Sequence, residues 1–266
     1  MDIKVDWHSR FTQQARWTEG LRRYLFERAG LASGQRLLEV GCGTGALLSR
    51  LAAWDPQIHG LDIDGEFLRQ AQRYAPAAAL AQGDAHRLPY SDASFDNVCC
   101  HFLLLWVHDP VKVVSELTRV TRPNGWVLAL AEPDYGGRVD YPEELTQLGE
   151  MQEAALRRQG AETRLGRRLG TLFHAAGLHD VETGVLGGQW REVPSPEELA
   201  QEWAVLQADL EGEITAHELA RLQQIDKQAW ARHERVLFVP TFYALGRKSI
   251  ELFPRPAMPL GQLTMY

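Results

Sequence analysis

Between residues 36 and 132, short apolar runs alternate with helical stretches, and this limits the chain more than any other feature. Arg36 to Val40 reads as a buried strand that ends in glycines, and Ala46 to Ala53 as the helix after it. Ile58 to Ile63 is a second strand, Glu66 to Tyr74 a second helix and Ala78 to Gln82 a short third strand. Asp96 to Phe102 forms a fourth. Pro110 to Thr121 is a helix opened by proline and closed before Arg122-Pro123, and Trp126 to Glu132 is the fifth strand. Strands and helices alternating over such short connections build a parallel sheet covered on both faces.

The flanking sequence reads differently. Residues 9–29 form one amphipathic helix, with Ser9 as its cap and Gly30 as its stop. Beyond residue 135, helices are expected at 142–159 and 166–176, with a strand near 180–190. A long helical stretch opens at Pro194-Ser195-Pro196 and runs to about 233, broken around Gly212, and β-rich Val236 to Gly246 follows. The whole chain, 1–266, is read as a single α/β domain. Its core covers 34–134, 165–192 and 235–248, and a helical cap is built from 8–30, 142–160 and 195–233.

With 45% hydrophobic residues and 24% charged, wholesale disorder is excluded. A net charge of −7 removes the basic footprint that nucleic-acid binding needs, so no nucleic-acid partner is expected. Cys42, Cys99 and Cys100 have neither disulfide nor zinc spacing, which points to a reduced compartment and no metal. The opening stretch lacks a basic segment followed by an apolar one. The most apolar run, Val98 to Val107, is interrupted by His101 and too short for a membrane span. A cytoplasmic protein, monomeric or homodimeric and without membrane partners, is the expectation.

The sharpest motif is Glu39-Val40-Gly41-Cys42-Gly43-Thr44-Gly45, at the end of the first strand. Glycines here let the backbone turn tightly against a ligand, and the next helix directs free amides to the same space. Gly41, Gly43 and Ala46 also satisfy a dinucleotide fingerprint, and Asp62 ends the second strand where a carboxylate binds ribose hydroxyls. These alone leave an adenosine-bearing cofactor and a dinucleotide balanced. Three features tip the balance toward the former. A carboxylate at Glu39 suits a positively charged amino group and not a pyrophosphate. Gly45 is a third close glycine that a dinucleotide site does not need. Gly83-Asp84-Ala85-His86-Arg87-Leu88-Pro89 follows the third strand, where Asp84 can accept from an adenine amino group and the Ala85 amide can face a ring nitrogen.

The runs LLEVGCGTGALLSRLA, HGLDIDGEFLRQAQ, QGDAHRLPYSDASFDNV and DPVKVVSELTRVTRPNGWVLALAEPD, across about 36–134, resemble the class I S-adenosylmethionine-dependent methyltransferases, small-molecule branch. The resemblance implies a Rossmann-like seven-stranded, mostly parallel sheet whose last strand is antiparallel, with helices on both faces and a helical cap. It implies S-adenosyl-L-methionine as cofactor. Glu39 and Gly41 would lie at its methionine part, with Gly43 and Gly45 completing the turn, Asp62 at the ribose, and Ile63 and the Asp84-Ala85 pair at the adenine. His101 and Phe102 would border cofactor and acceptor, with His101 the first candidate base. Arg16, on an N-terminal helix that closes the site, would meet the cofactor carboxylate. Leu105-Trp106 replaces a histidine pair frequent in the family, and Pro123-Asn124-Gly125 a frequent Pro-Gly-Gly turn whose positive φ asparagine tolerates.

The implied activity is methyl transfer to a small-molecule acceptor by in-line displacement. Alignment alone supplies about 7–11 kcal/mol in such a reaction, so a base is secondary. Asp134 and Tyr135 follow the fifth strand and read either as substrate contacts or as turn formers. Trp190, Trp203 and Trp230 read as cap packing or as an aromatic pocket. Arg157, Arg158, Arg164, Arg167 and Arg168 read as a solvated face or as a receptor for an anionic substrate. Two alternatives stand beside this reading. A nicotinamide-dependent oxidoreductase would need a hydride-transfer constellation such as Tyr-x-x-x-Lys, which is not evident here. A non-catalytic S-adenosylmethionine-binding module would keep the same cofactor residues.

Overall fold

A computed structural model describes residues 5–51, 54, 56–187 and 193–250. In chain order its elements are α1 (Trp7–Trp17), α2 (Glu19–Arg28), β1 (Arg36–Val40), α3 (Leu48–Leu51), β2 (Gln57–Asp62), α4 (Gly65–Tyr74), β3 (Ala79–Gln82), β4 (Phe95–Cys100), α5 (Pro110–Val120) and β5 (Thr121–Pro133). β6 (Val139–Tyr141), α6 (Thr146–Arg158), α7 (Leu169–Ala175), β7 (Leu178–Leu186), α8 (Pro196–Asp209), α9 (Ala216–Ala231), β8 (Val236–Phe238) and β9 (Thr241–Lys248) follow. Seven strands form one sheet in the order β3-β2-β1-β4-β5-β9-β7. β1 to β5 pair in parallel, and β9 runs antiparallel between β5 and β7.

The period of two along each strand divides the core between the faces of this sheet. Leu38, Val40, Val98, Cys100, Val127 and Ala129 pack with Val113, Val114 and Leu117 of α5 and with Leu172 and Phe173 of α7. On the other face Leu37, Cys99, Leu128 and Leu130 pack with Leu25 and Phe26 of α2 and with Leu48 and Leu51 of α3. Glu39 shares the parity of Leu37, so its carboxylate belongs to the α2 face. The turn at Asn124 does take a positive φ, +63°.

The N-terminal helix differs from the expected one. It breaks at Thr18 into α1 and α2, and its N-cap is Asp6, whose side chain accepts from the Ser9 amide, so Ser9 is not the cap. The hydroxyl of Thr18 turns back toward the Gln14 carbonyl, a contact that competes with the helix ladder. The helix expected at 142–159 is preceded by β6 and begins at Thr146, while the strand expected near 180–190 runs from Leu178 to Leu186. β6 pairs with β8 in a second, two-stranded sheet that the sequence reading did not anticipate. Trp190 and residues 188–192 of the expected core lie outside the described residues.

The helices α6, α8 and α9 have a core of their own around Leu148, Trp203, Leu206, Leu210 and Leu222. A buried polar chain joins that core to β6 and β8. Arg138 Nε meets Asp140 at 2.6 Å, Asp140 meets Arg235 Nη2 at 2.7 Å, and Arg235 Nε meets Asp226 at 2.6 Å. Trp203 Nε1 donates to Asp226 at 3.0 Å, and Gln152 bridges Arg138 to Asp209. Among the described residues no helix is long and apolar enough to cross a membrane.

Candidate active site

β1 ends in the glycine loop, and its three glycines all take left-handed backbone: Gly41 at φ +76°, Gly43 at +51° and Gly45 at +77°. Any L side chain there is strained. A Cβ on Gly41 would also lie 2.8 Å from Leu103 Cδ1, and one on Gly43 3.0 Å from the Phe11 ring. The Gly43 amide donates to Asp62 Oδ2 at 2.7 Å, and the Asp64 amide donates to Asp62 Oδ1 at 2.9 Å. The loop and the end of β2 are therefore fixed to each other. Burial raises the Asp62 carboxyl, and these amides pull it back down.

Glu39 is 2% exposed, and its Oε2 is buried with no hydrogen-bond partner. Such an orphan costs desolvation energy that nothing in the described protein returns. Burial pushes its carboxyl up to about 8, the Arg22 charge pulls the other way, and Asp62 adds to the rise. A cationic group delivered to this carboxylate would satisfy it.

The remaining expected residues surround the loop. Ile63 presents its side chain outward, 68% exposed, and Ala85 is buried. Asp84 Oδ1 accepts from the His86 amide and from His86 Nδ1, at 2.9 and 2.7 Å, which lowers its carboxyl. His86 in turn stacks on His108. Phe102 takes φ +54° directly after β4. A cavity of about 540 Å³ opens between the starts of α1 and α4, lined by Asp6, Trp7, Asp64 and Phe67. Another, of about 400 Å³, is lined by Gln35, Arg36, Gln57 and Asp96 at the amino ends of the strands, the wrong end of an open α/β sheet for a ligand.

Two of the expected residues have protein partners of their own. Burial pushes the His101 ring down to about 3, with the Arg22 charge acting in the same sense, and Nε2 shares a hydrogen bond with Thr18 Oγ1 at 3.0 Å. That hydrogen bond ties the α1–α2 junction to the sheet. Arg16 is half-exposed, 3.8 Å from Glu198 of α8. The buried arginine of α2 is Arg22, 5% exposed, which donates to the Ala15 carbonyl and to Thr18.

α1 covers the glycine loop through residues that hydropathy did not single out. His8 Nδ1 and Thr44 Oγ1 share a hydrogen bond at 2.9 Å, and the His8 ring stacks on Tyr74 at 3.3 Å. Phe11 lies over Gly43 and meets Phe67 edge-on. Arg10 and Gln13 are buried on the same helix, while Trp7 and Trp17 are exposed. Arg10 pairs with Glu202 of α8, joining lid to cap. Signals existed for this, since Arg10 and Gln13 are spaced i, i+3, but polar residues on an inner face defeat a reading based on apolar periodicity.

After β5, Asp134 is 1% exposed and accepts from Nε and Nη2 of Arg167, so it builds the turn. Burial pushes the Tyr135 phenol up to about 12. The arginine stretch is neutralised: Arg157 and Arg164 meet Glu153, Arg158 meets Glu213, and Arg168 meets Glu162. Trp203 belongs to the cap core. Among the described residues no group of three or more His, Cys, Asp or Glu is placed to hold a metal ion.

Residues 38–129 match the family model described as a methyltransferase domain. Over 126 residues the chain is 35% identical to a demethylmenaquinone methyltransferase of Renibacterium salmoninarum, covering 47% of this chain and 52% of that one. Over 95 residues it is 39% identical to a malonyl-[acyl-carrier protein] O-methyltransferase of Erwinia billingiae, covering 36% and 38%. The chain thus spans about half, or less, of the length of these curated relatives. The structure of Haemonchus contortus phosphoethanolamine N-methyltransferase 2 in complex with S-adenosyl-L-methionine superposes with a TM-score of 0.58. That match is at 18% identity and covers 87% of this chain and 52% of that one. The [4+2]-cyclase SpnF superposes at 0.53 with 22% identity, over 89% and 82%. Sheet order and glycine loop define a Rossmann-like α/β protein. Within that class, residues 38–129 are similar to a methyltransferase domain.

Proposed function

We propose that the protein is an S-adenosylmethionine-dependent methyltransferase acting on a small-molecule acceptor. The observation that supports this most directly is the buried, unpartnered Glu39 Oε2 beside three left-handed glycines, since the amino group of this cofactor is the missing partner. When bound, the cofactor supplies an electrophilic methyl group, and the protein's task is alignment and exclusion of water. Glu39 holds the ammonium, and Gly41, Gly43 and Gly45 let the backbone come close. Asp62 keeps lone pairs for ribose hydroxyls. Ile63, Ala85 and Asp84, through its Oδ2, meet the adenine, and Phe102 borders the methyl group.

The acceptor enters between α1, the end of β5 and the cap, and the cap (8–30, 142–160, 195–233) selects it. The relatives' names span a quinone precursor and a carrier-bound malonyl group, which supports a small acceptor group without singling one out. A cyclase on the same fold is a reminder that fold alone does not establish methyl transfer. Calorimetric titration tests the cofactor: S-adenosylhomocysteine binds, and NAD and NADP do not. Failure of S-adenosylmethionine and S-adenosylhomocysteine alike to bind overturns the proposal. Transfer of label from methyl-labelled cofactor into a metabolite pool then separates an enzyme from a binding module.

A further inference from the structure

Glu132 closes β5 with its side chain 0% exposed, and its carboxylate accepts three consecutive backbone amides. Leu103 and Leu104 donate to Oε1 at 3.0 and 2.9 Å, and Leu105 donates to Oε2 at 3.2 Å. The first of these amides follows Phe102, whose left-handed backbone turns the chain sharply out of β4. Three backbone amides held by one side chain are a strong reason for a non-glycine residue to keep that conformation.

This segment touches the glycine loop, the α1–α2 junction and the connection between α6 and α7. Leu103 lies against the glycine loop, where its Cδ1 would be 2.8 Å from a Cβ on Gly41. Two residues earlier, His101 bonds Thr18 at the α1–α2 junction. The Leu105 carbonyl accepts from the Glu162 amide at 2.7 Å, which fixes the connection between α6 and α7. Loop, lid and cap-side connection thus each make a contact with one short stretch, and three amides of that stretch are held by one carboxylate.

We propose that Glu132 is a positioning residue for methyl transfer, fixing residues 101–105 so that Leu103 seats the glycine loop and His101 holds the lid. The inference rests on the cofactor reading given above. Glu132→Gln keeps length and one acceptor oxygen but sets an N–H₂ group against the amides.

The test uses the full chain and three variants: Glu132→Gln, Leu103→Ala and Asp96→Asn. Asp96 accepts from the Arg36 amide at the opposite end of the sheet and controls for general loss of stability. S-adenosylhomocysteine affinity is measured by calorimetry, and exchange of the Leu103 to Leu105 amides by hydrogen–deuterium exchange. Glu132→Gln is expected to weaken binding at least tenfold and to speed exchange of those three amides. Leu103→Ala weakens binding comparably with the amides still protected, and Asp96→Asn stays within twofold of wild type. Unchanged affinity in Glu132→Gln overturns this inference alone, as does an equal loss in Asp96→Asn. Absence of binding by the wild-type chain overturns the cofactor reading and this inference with it.

Discussion

The carboxyl end of the sheet and the cap are organised by different kinds of interaction. Around the glycine loop, position is set by backbone: left-handed glycines, amides on Asp62, and amides on Glu132. In the cap it is set by side chains far apart in sequence, with Asp140, Arg235 and Asp226 buried in one chain of ion pairs. A site fixed by glycine backbone and by amides on two carboxylates is set at few positions, which suits a cofactor that does not change. A cap stitched by side chains can be altered by substitution at a few positions, which suits selection among acceptors. Replacing a buried charge pair with apolar residues is often tolerated, whereas removing one partner is not.

The contrast is broken most severely at Arg235. Arg235→Ala leaves Asp140 and Asp226 buried without their shared cation, at a cost of about 3–5 kcal/mol. Thermal unfolding should show that loss, while the affinity for S-adenosylhomocysteine stays near wild type because no cofactor contact is touched. An equal collapse of cofactor binding would mean that the two regions are not separable.

Next in size is Gly43→Val. A β-branched residue at φ +51°, facing Phe11 at 3.0 Å, must distort the loop or lift the lid. About a hundredfold loss of S-adenosylhomocysteine affinity is expected, equivalent to about 2.7 kcal/mol. The melting temperature should change less than in Arg235→Ala. Calorimetry and a thermal melt on the same sample decide it.

The part of this arrangement that could be read in advance is the part built from local backbone. Gly41, Gly43, Gly45, Asp62 and the strand–helix alternation announce themselves because each acts within a few residues of its own position. The α1 face over the site escaped such a reading. Burying Arg10 and Gln13 while exposing Trp7 and Trp17 inverts the usual pattern, and only Glu202, far along the chain, explains it. The arginine stretch at 157–168 finds its carboxylates partly nearby, at Glu153 and Glu162, and partly at distant Glu213. The break at Thr18 had a similar effect. One continuous helix directs attention to Arg16, whereas a helix interrupted there turns Arg22 inward beside Glu39 and His101.

A smaller effect concerns protons. In the free protein Glu39, pushed up to about 8, and Glu132, pushed up to about 7, both hold protons more tightly folded than unfolded. Their contribution to stability is therefore complete below the ordinary carboxylate range and is lost as pH rises through about 7 to 8. At pH 7 Glu39 is about nine-tenths protonated. An ammonium brought against it should displace that proton. Titrating S-adenosylhomocysteine in two buffers of different ionisation enthalpy at pH 7 should show release of most of one proton, and Glu39→Gln should abolish it. Identical heats in both buffers would separate Glu39 from the amino group.

The smallest effect lies where the two regions meet, at His8. Its ring is stacked between the lid and Tyr74, and it shares a hydrogen bond with the buried Thr44 hydroxyl of the glycine loop. This contact is one of several holding α1, with Phe11 and the Thr18–His101 bond carrying the rest, so its removal should loosen the lid without unseating it. His8→Ala is expected to cost about 0.5–1.5 kcal/mol, roughly a two- to tenfold loss of affinity. A lid contact acts after the ligand has entered, so the loss should fall on the dissociation rate and leave association nearly unchanged. Stopped-flow measurement of both rates separates this from a defect in the loop, which would slow association as well. Burial holds the His8 ring below its ordinary value, so it stays neutral at pH 7 and charges only on acidification. An acid-induced rise in the dissociation rate that His8→Ala lacks would assign the lid's hold to that ring.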